Sequence, residues 1–309
     1  MAKERNKALD MLVYVVARLL AMLFHCFPIA SNVQAAKMLG TLMYWVDAKH
    51  RKRAIHNLRR SFPDYTPLQC RTLALQSTQH MVILAIEVLF TTQLIHLHTW
   101  RRHVDLENFS EVLELLLRQK TGLIMLTGHY GNWEVLGYLL ATLGFETTSI
   151  ARPLDNPYVN HWILGVREKQ GQRIVAKKGA TGEVIQVLGE KGAVGFIADQ
   201  NAGSKGIFVD FFGRKASTYK SIGLLAMEYN VPVVIGYARR TGKPFHFQIG
   251  AQDIIQPEDW ADQDDPLRYI TQRYTKAIEE IVRVEPSQYL WLHRRWKTRP
   301  KGEAPEQYD

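Results

Sequence analysis

Gly122-Leu-Ile-Met-Leu-Thr-Gly-His129-Tyr-Gly-Asn-Trp-Glu134-Val-Leu-Gly-Tyr-Leu-Leu140 is the stretch that decides the fold. Leu123 to Thr127 reads as a buried strand. A polar turn follows, with Gly128 and Gly131 in it. From Asn132 the apolar spacing changes to Val135, Leu136, Leu139, Leu140, which is a helix period. A strand therefore hands over to a helix, with a histidine and a glutamate at the junction. On one continuous helix, residues five apart point about 140° from each other. The turn breaks that helix, so His129 and Glu134 can converge. In open α/β sheets ligands bind beyond the carboxyl ends of the strands. A neutral imidazole there can take a proton from a hydroxyl, and a carboxylate can fix its tautomer. The spacing makes His129 the candidate general base and Glu134 the candidate residue that orients it. Asn132 can cap the helix. The alternative is a His and a Glu that merely bond the backbone.

From Gly122 onward, strand and helix patterns alternate. Strands are expected at 123–127, 147–151, 194–198, 231–237 and 245–249. Helices are expected at 157–170, 181–188, 217–229 and from Pro266 to Pro286. Upstream, Thr66-Pro67 is a cap followed by a first-turn proline, opening helical sequence that runs through the apolar stretch 81–90. Residues 111–120 read as another helix. Alternation of this kind, with helical decoration before it, argues a single α/β domain over residues 31–300. Residues 301–309 read as a loose tail.

The chain of 309 residues has 39 basic and 30 acidic side chains, a net charge of +9. That favours anionic partners: nucleic acid, acidic lipid or an acidic protein. Its two cysteines, Cys26 and Cys70, cannot form a disulfide framework, so the bulk of the chain reads as facing a reducing compartment. No zinc-type His-Glu-x-x-His, phosphate loop or Gly-x-Ser-x-Gly elbow is present, and no metal or cofactor is implied. Leu9 to Ala30 is the most apolar N-terminal run, following Lys3, Arg5 and Lys7. Arg18 would be costly at a bilayer centre, and basic residues on both sides give no clean orientation. Residues 1–30 are therefore read as an anchor lying in or dipping into the cytoplasmic leaflet; a buried core helix is the alternative. Lys49 to Arg60 carries Lys49, Arg51, Lys52, Arg53, Arg59 and Arg60 and no acid. Beside an anchor it suits anionic lipid; otherwise it is a solvated helix face.

The junction sequence Gly-His-Tyr-Gly-Asn-Trp-Glu resembles the His-x4-Asp/Glu motif of glycerolipid-type acyltransferases, and more closely the late acyltransferases of lipid A biosynthesis, the lauroyl and myristoyl transferases. Five further blocks resemble that family, in its order: 151–158 (Ala-Arg-Pro-Leu-Asp-Asn-Pro-Tyr), 177–179 (Lys-Lys-Gly), 199–203 (Asp-Gln-Asn-Ala-Gly), 206–213 (Gly-Ile-Phe-Val-Asp-Phe-Phe-Gly) and 291–300 (Trp-Leu-His-Arg-Arg-Trp-Lys-Thr-Arg-Pro). Tyr130 stands where leucine is the commoner residue. The resemblance implies a glycerolipid-acyltransferase-like fold: one domain, a central mixed sheet flanked by helices, with an N-terminal membrane anchor. It implies transfer of an acyl chain from acyl-acyl carrier protein to a hydroxyl of a lipid A precursor, a phosphorylated glucosamine-disaccharide lipid, with no cofactor and no nucleic acid. It places the protein at the inner membrane with the catalytic domain in the cytoplasm. It gives Arg167 an anion-binding role and brings Asp199 into the site, orienting Arg167 or a backbone amide.

Arg152 follows a predicted strand at the ligand end and, with Asn132, joins the candidate substrate contacts. Lys177, Lys178 and Arg214 are weaker candidates for phosphate. Amides near Gly131 or the helix start are candidates to stabilise the oxyanion. Trp291 and Trp296, with arginines between, read as a membrane edge, as a nucleic-acid surface or as packed core. His161, His246 and His293 lack ligand spacing and read as structural. Other readings stay open: an acyltransferase for another glycolipid or glycerolipid, or a basic membrane-binding protein without catalysis.

Overall fold

The computed structural model describes residues 6–177, 179–304 and 306. Four helices come first: α1 (Lys7–His25), α2 (Ile29–Val46), α3 (Ala48–Ser61) and α4 (Pro67–Leu94). Then follow β1 (Val104–Glu107), α5 (Ser110–Arg118), β2 (Leu123–Thr127), α6 (Trp133–Thr142), β3 (Thr147–Ala151), α7 (Pro157–Glu168), β4 (Arg173–Ala176), α8 (Ala180–Gly189) and β5 (Ala193–Ile197). The chain continues through β6 (Ile207–Phe211), β7 (Arg214–Thr218), α9 (Ser221–Tyr229), β8 (Val233–Arg240), β9 (Phe247–Ile255), α10 (Pro257–Ala261) and α11 (Pro266–Val284). Seven strands form one mixed sheet in the order β1-β9-β8-β2-β5-β3-β4. Strands β8, β2, β5, β3 and β4 run parallel, while β9 is antiparallel to β8. Strands β6 and β7 make a separate hairpin.

Side chains alternate across a strand, and the core divides accordingly. Ile124 and Leu126 of β2 join a cluster with α8, α9, α11 and the C-terminal segment. Leu123 joins the opposite cluster, under α4, α5 and α6. This is the expected α/β architecture, with helices on both faces of a mixed sheet. Thr66 and Gln69 form a complete capping box at the start of α4, which satisfies amides that a helix start leaves open.

Several expectations need correction. The segment 217–229 is not one helix: Ser217 and Thr218 close β7, and α9 begins only at Ser221. The short strands β1 and β4 lie at the two edges of the sheet and were not anticipated. The anchor run is interrupted at Cys26-Phe27-Pro28, so Ile29 and Ala30 open α2 instead of ending α1. The segment after Pro300 is not uniformly loose. Glu306 is bonded by His56, Arg60 and Arg214, while residues 305 and 307–309 lie outside the described residues. Arg214, so bound and also donating to Ser61, is not open to a phosphate. The basic run in α3 is partly internal: Arg53 donates to the Leu292 carbonyl and Arg51 to those of Tyr44 and Trp45. Trp291 and Trp296 are each 1% exposed, which makes them core.

A buried ion pair braces this frame. Glu87, fully buried in α4, receives both arms of the Arg240 guanidinium at 2.7 and 2.5 Å and the Asn132 amide at 2.9 Å. Removing one partner of a buried pair strands the other charge, at a cost of about 3–5 kcal/mol. Glu87→Ala is accordingly expected to lower unfolding free energy by about that amount in denaturant titrations of micelle-solubilised protein. A loss under about 1 kcal/mol, the range of an exposed pair, would contradict the bracing role.

Candidate active site

The site forms where the parallel pair β2–β5 ends. Thr127 of β2 stands opposite Ile197 of β5. Two residues further along each strand, His129 faces Asp199. His129 Nδ1 lies 2.7 Å from Asp199 Oδ1, and the His129 amide donates to Asp199 Oδ2 at 2.9 Å. Asp199 is 2% exposed. Burial pushes its carboxyl up, but the charge and hydrogen bonds of His129, with a smaller effect of His293, outweigh burial and hold it below the usual carboxylate range. It is therefore an ionised acceptor. An imidazole that donates Nδ1–H to a carboxylate presents Nε2 as the base. The Gln200 amide nitrogen sits 3.4 Å from that Nε2.

The backbone around His129 is clamped from several sides. Gly131 donates to the Gln288 carbonyl at 3.0 Å and Asn132 to that of Ala238 at 2.7 Å. Leu290 donates back to the His129 carbonyl at 3.1 Å. Gly131 has φ +56°, and a Cβ there would lie 1.9 Å from the Ala238 oxygen, so only glycine fits. Asn132 caps α6 through a bond from the Val135 amide and donates to Glu87.

Glu134 is turned to another task. Arg167, in the last turn of α7, donates Nε to Glu134 Oε2 at 2.7 Å and Nη2 to Oε1 at 2.5 Å. This bidentate geometry suits a guanidinium and a carboxylate. The Trp133 indole also donates to Glu134, and its ring packs edge-on to the His129 ring at 5.1 Å between centroids. Behind the pair opens an apolar cavity enclosing about 820 Å³, its open mouth included. Met125, Leu136, Leu140, Ile150, Phe196 and Val234 line it beneath α6, while Trp133, Glu134 and Arg167 stand along it.

The arrangement is a base–carboxylate pair beside a greasy cavity at the carboxyl ends of parallel strands. Residues 2–298 match the profile of the family described as bacterial lipid A biosynthesis acyltransferase. The chain belongs to that family. Members of this lipid A biosynthesis acyltransferase family act on lipid A precursors, and this protein is an acyltransferase of that kind. A lipid A biosynthesis acyltransferase of Haemophilus influenzae is 24% identical over 86% of this chain and 83% of the relative. The lipid A biosynthesis lauroyltransferase of Escherichia coli is 25% identical over 84% of this chain and 83% of its own length. The E. coli myristoyltransferase is 25% identical over 86% and 80%. The crystal structure of a 1-acyl-sn-glycerophosphate acyltransferase from Thermotoga maritima, 14% identical, covers 81% of this chain and 97% of its own at a TM-score of 0.35, too loose a match to bear on the fold.

Against this geometry the sequence-derived site of the lipid A acyltransferase changes in four places. His129 is held by Asp199, not by Glu134, because α6 carries Glu134 toward α7 while strand register brings Asp199 alongside. Arg167 is paired with Glu134 through Nε and Nη2, an ion pair that sequence reasoning did not anticipate. Asn132 is 0% exposed and committed to its cap and to Glu87, which makes it a support and not a substrate contact. Arg152 is 81% exposed at the end of β3, 3.4 Å from Asp155, and is not gathered into the site. Lys177 donates to the Tyr219 hydroxyl; Lys178 lies outside the described residues. Among the described residues, no three His, Cys, Asp or Glu side chains converge as a metal site requires.

His293, read from its spacing as structural, stands beside the base. Its ring packs 4.7 Å from that of His129, centroid to centroid. Burial, the His129 ring and the more distant Arg53 and His50 push its pKa down to about 4, against the pull of Asp199. The signal available in sequence was its place in the 291–300 block; spacing alone carries none. The alternation of strands also could not show that Gln200 stands over the base.

Proposed function

We propose that the protein transfers an acyl chain from the thioester of acyl-acyl carrier protein to a hydroxyl of a lipid A precursor, late in lipid A assembly. The observation that carries this reading is the His129–Asp199 pair at the rim of the apolar cavity. The acyl chain fills the cavity beneath α6, with its thioester carbon near Trp133 and His129. An acceptor hydroxyl displaces Gln200 and donates to His129 Nε2. As oxygen attacks the carbonyl carbon, His129 takes the proton while Asp199 stabilises the imidazolium that forms. The new O–C bond forms, the C–S bond breaks, and the proton returns to the leaving thiolate. Attack is direct, with no acyl-enzyme. Neither cysteine pairs with His129: Cys70 is buried in the core and Cys26 ends α1. The acceptor hydroxyl lies on a hydroxyacyl chain already attached, giving an acyloxyacyl product. Glu134 and Arg167 hold the cavity wall, and the net charge of +9 suits an acidic carrier protein.

The same reading places the enzyme on the cytoplasmic face of the inner membrane. Helix α1 has 19 residues, about 28 Å of helix, and is long and apolar enough to enter a bilayer. Nearly all its large apolar residues are exposed, Leu12 and Leu19 among them. Arg18 is sheltered on one side, bonded to Tyr14 and lying over the Trp162 ring of α7. Met38, Leu42, Trp45 and Val46 continue the apolar surface along α2. Helix α4 passes the same length test but is mostly buried.

In assays with acyl-carrier-protein thioester and a lipid A precursor, His129→Ala is expected to lose about 10²–10⁴ in kcat, with circular dichroism unchanged. Asp199→Asn is expected to lose a comparable factor, and the double variant to fall little further, because groups acting as a unit are not additive. A folded His129→Ala enzyme within about tenfold of wild type would overturn the assignment. For the membrane, removal of residues 1–30 is expected to shift protein out of the floating vesicle fraction in flotation with anionic vesicles. Full-length protein that stays in solution without detergent or lipid would contradict it.

A further inference from the structure

The tetrahedral carbon formed in the transfer carries a negative oxygen, and the turn that holds His129 has few donors left for it. The His129 amide is given to Asp199. The Tyr130 amide goes to the Gly128 carbonyl at 2.8 Å, Gly131 to Gln288 and Asn132 to Ala238. The Val135 amide goes to the Asn132 cap. The expected amides near Gly131 are thus all committed. What remains beside the base is the pair of first-turn amides at Trp133 and Glu134, the Gln200 amide that the acceptor hydroxyl displaces, and one further side chain.

That side chain is His293. Its backbone is fixed: its amide donates to the Leu290 carbonyl at 3.3 Å, and its own carbonyl accepts from Asn57 at 3.1 Å. Leu290 in turn donates to the carbonyl of His129, so the two imidazoles are tied together through three residues of chain. The rings meet at 65°, 4.7 Å apart. A reacting carbon held at His129 Nε2 is therefore within reach of the neighbouring imidazole. Among the described residues, the His293 ring has no hydrogen-bond partner of its own. The two nearby arginines are engaged elsewhere. Arg167 is bound to Glu134, and Arg295 points its guanidinium at the Gln200 and Ser217 carbonyls and the Thr218 hydroxyl.

We propose that His293 is a second catalytic imidazole, which donates a ring N–H to the thioester carbonyl oxygen as that oxygen becomes anionic. The reading rests on His129 as the base. His293 keeps its proton throughout: the hydroxyl proton passes to His129 and then to the thiolate, while His293 only hydrogen-bonds the oxyanion. Its shielded setting, which disfavours the imidazolium, keeps it from competing with His129 for Asp199 and leaves a neutral donor. A neutral imidazole serving as electrophile is an established arrangement in enzymes.

The experiment replaces His293 by Gln, which keeps a donor, and by Phe, which keeps a ring of similar shape without one. Both are assayed with a medium-chain acyl-phosphopantetheine thioester and a hydroxyacylated glucosamine-disaccharide phosphate lipid, with thermal melts to confirm folding. His293→Phe is expected to lose about 10²–10³ in kcat, the worth of one oxyanion donor, with donor KM little changed. His293→Gln is expected to recover about a tenth or more of wild-type kcat. A packing role predicts the reverse order. A folded His293→Phe enzyme with near-wild-type kcat, or one that outperforms His293→Gln, overturns the proposal. His129→Ala, run in parallel, reports on the base alone, so failure of that assignment is read separately from failure of this one.

Discussion

Asp199 is a carboxylate shut away from water, and a buried charge is tolerated only with partners that replace its hydration. It has them because β2 and β5 run parallel in a register that ends with His129 opposite Asp199. One oxygen meets the ring and the other the backbone amide of the same residue, so position and orientation of the imidazole are fixed together. Much of the surrounding structure can be understood as holding that contact in place. Gly131 lets the turn press against Ala238, the segment after Gln288 bonds the turn from its other side, and Asn132 ties the start of α6 to Glu87. Glu87 and Arg240 anchor this from inside α4 and β8. Polar groups of this kind are costly when half satisfied, which is why the network is dense: each member answers for another.

The second device is spatially separate. Glu134 and Arg167 join α6 to α7 at the side of the apolar cavity, and Trp133 stands between that pair and the His129 ring. The proton-handling groups and the apolar cavity thus share a border without sharing residues. In this account the division lets an acyl chain be gripped by dispersion and burial, worth roughly 0.8 kcal/mol per methylene, while the chemistry is left to the imidazoles.

The strand–turn–helix around His129 was legible because a short continuous apolar run gives way, across a glycine turn, to a 3.6-residue period. The proline-opened helices at Pro67, Pro157 and Pro266 were legible through their caps. The partner of His129 was not. Asp199 lies 70 residues away, and parallel register leaves no local trace, so the nearest acid, Glu134, was the natural assignment. The 206–213 block and Ser217-Thr218 hid a hairpin because the apolar run toward Tyr229 reads on smoothly as helix. Glu87 passed as one more residue in an apolar helix, since the arginine that makes it tolerable is 153 residues away. The tryptophans at 291 and 296 were ambiguous for the reverse reason: aromatic–basic interleaving looks the same at a membrane edge and in a core where Arg214 lies over the Trp296 ring.

The central claim is that Asp199 fixes His129 with its proton on Nδ1. The most direct measurement is ¹⁵N NMR of histidine-labelled protein in micelles, comparing wild type with Asp199→Asn and Glu134→Gln. The structure predicts an Nδ1–H tautomer for neutral His129, preserved in Glu134→Gln and perturbed in Asp199→Asn. A His129 protonated on Nε2, or one that responds to Glu134→Gln and not to Asp199→Asn, would contradict it.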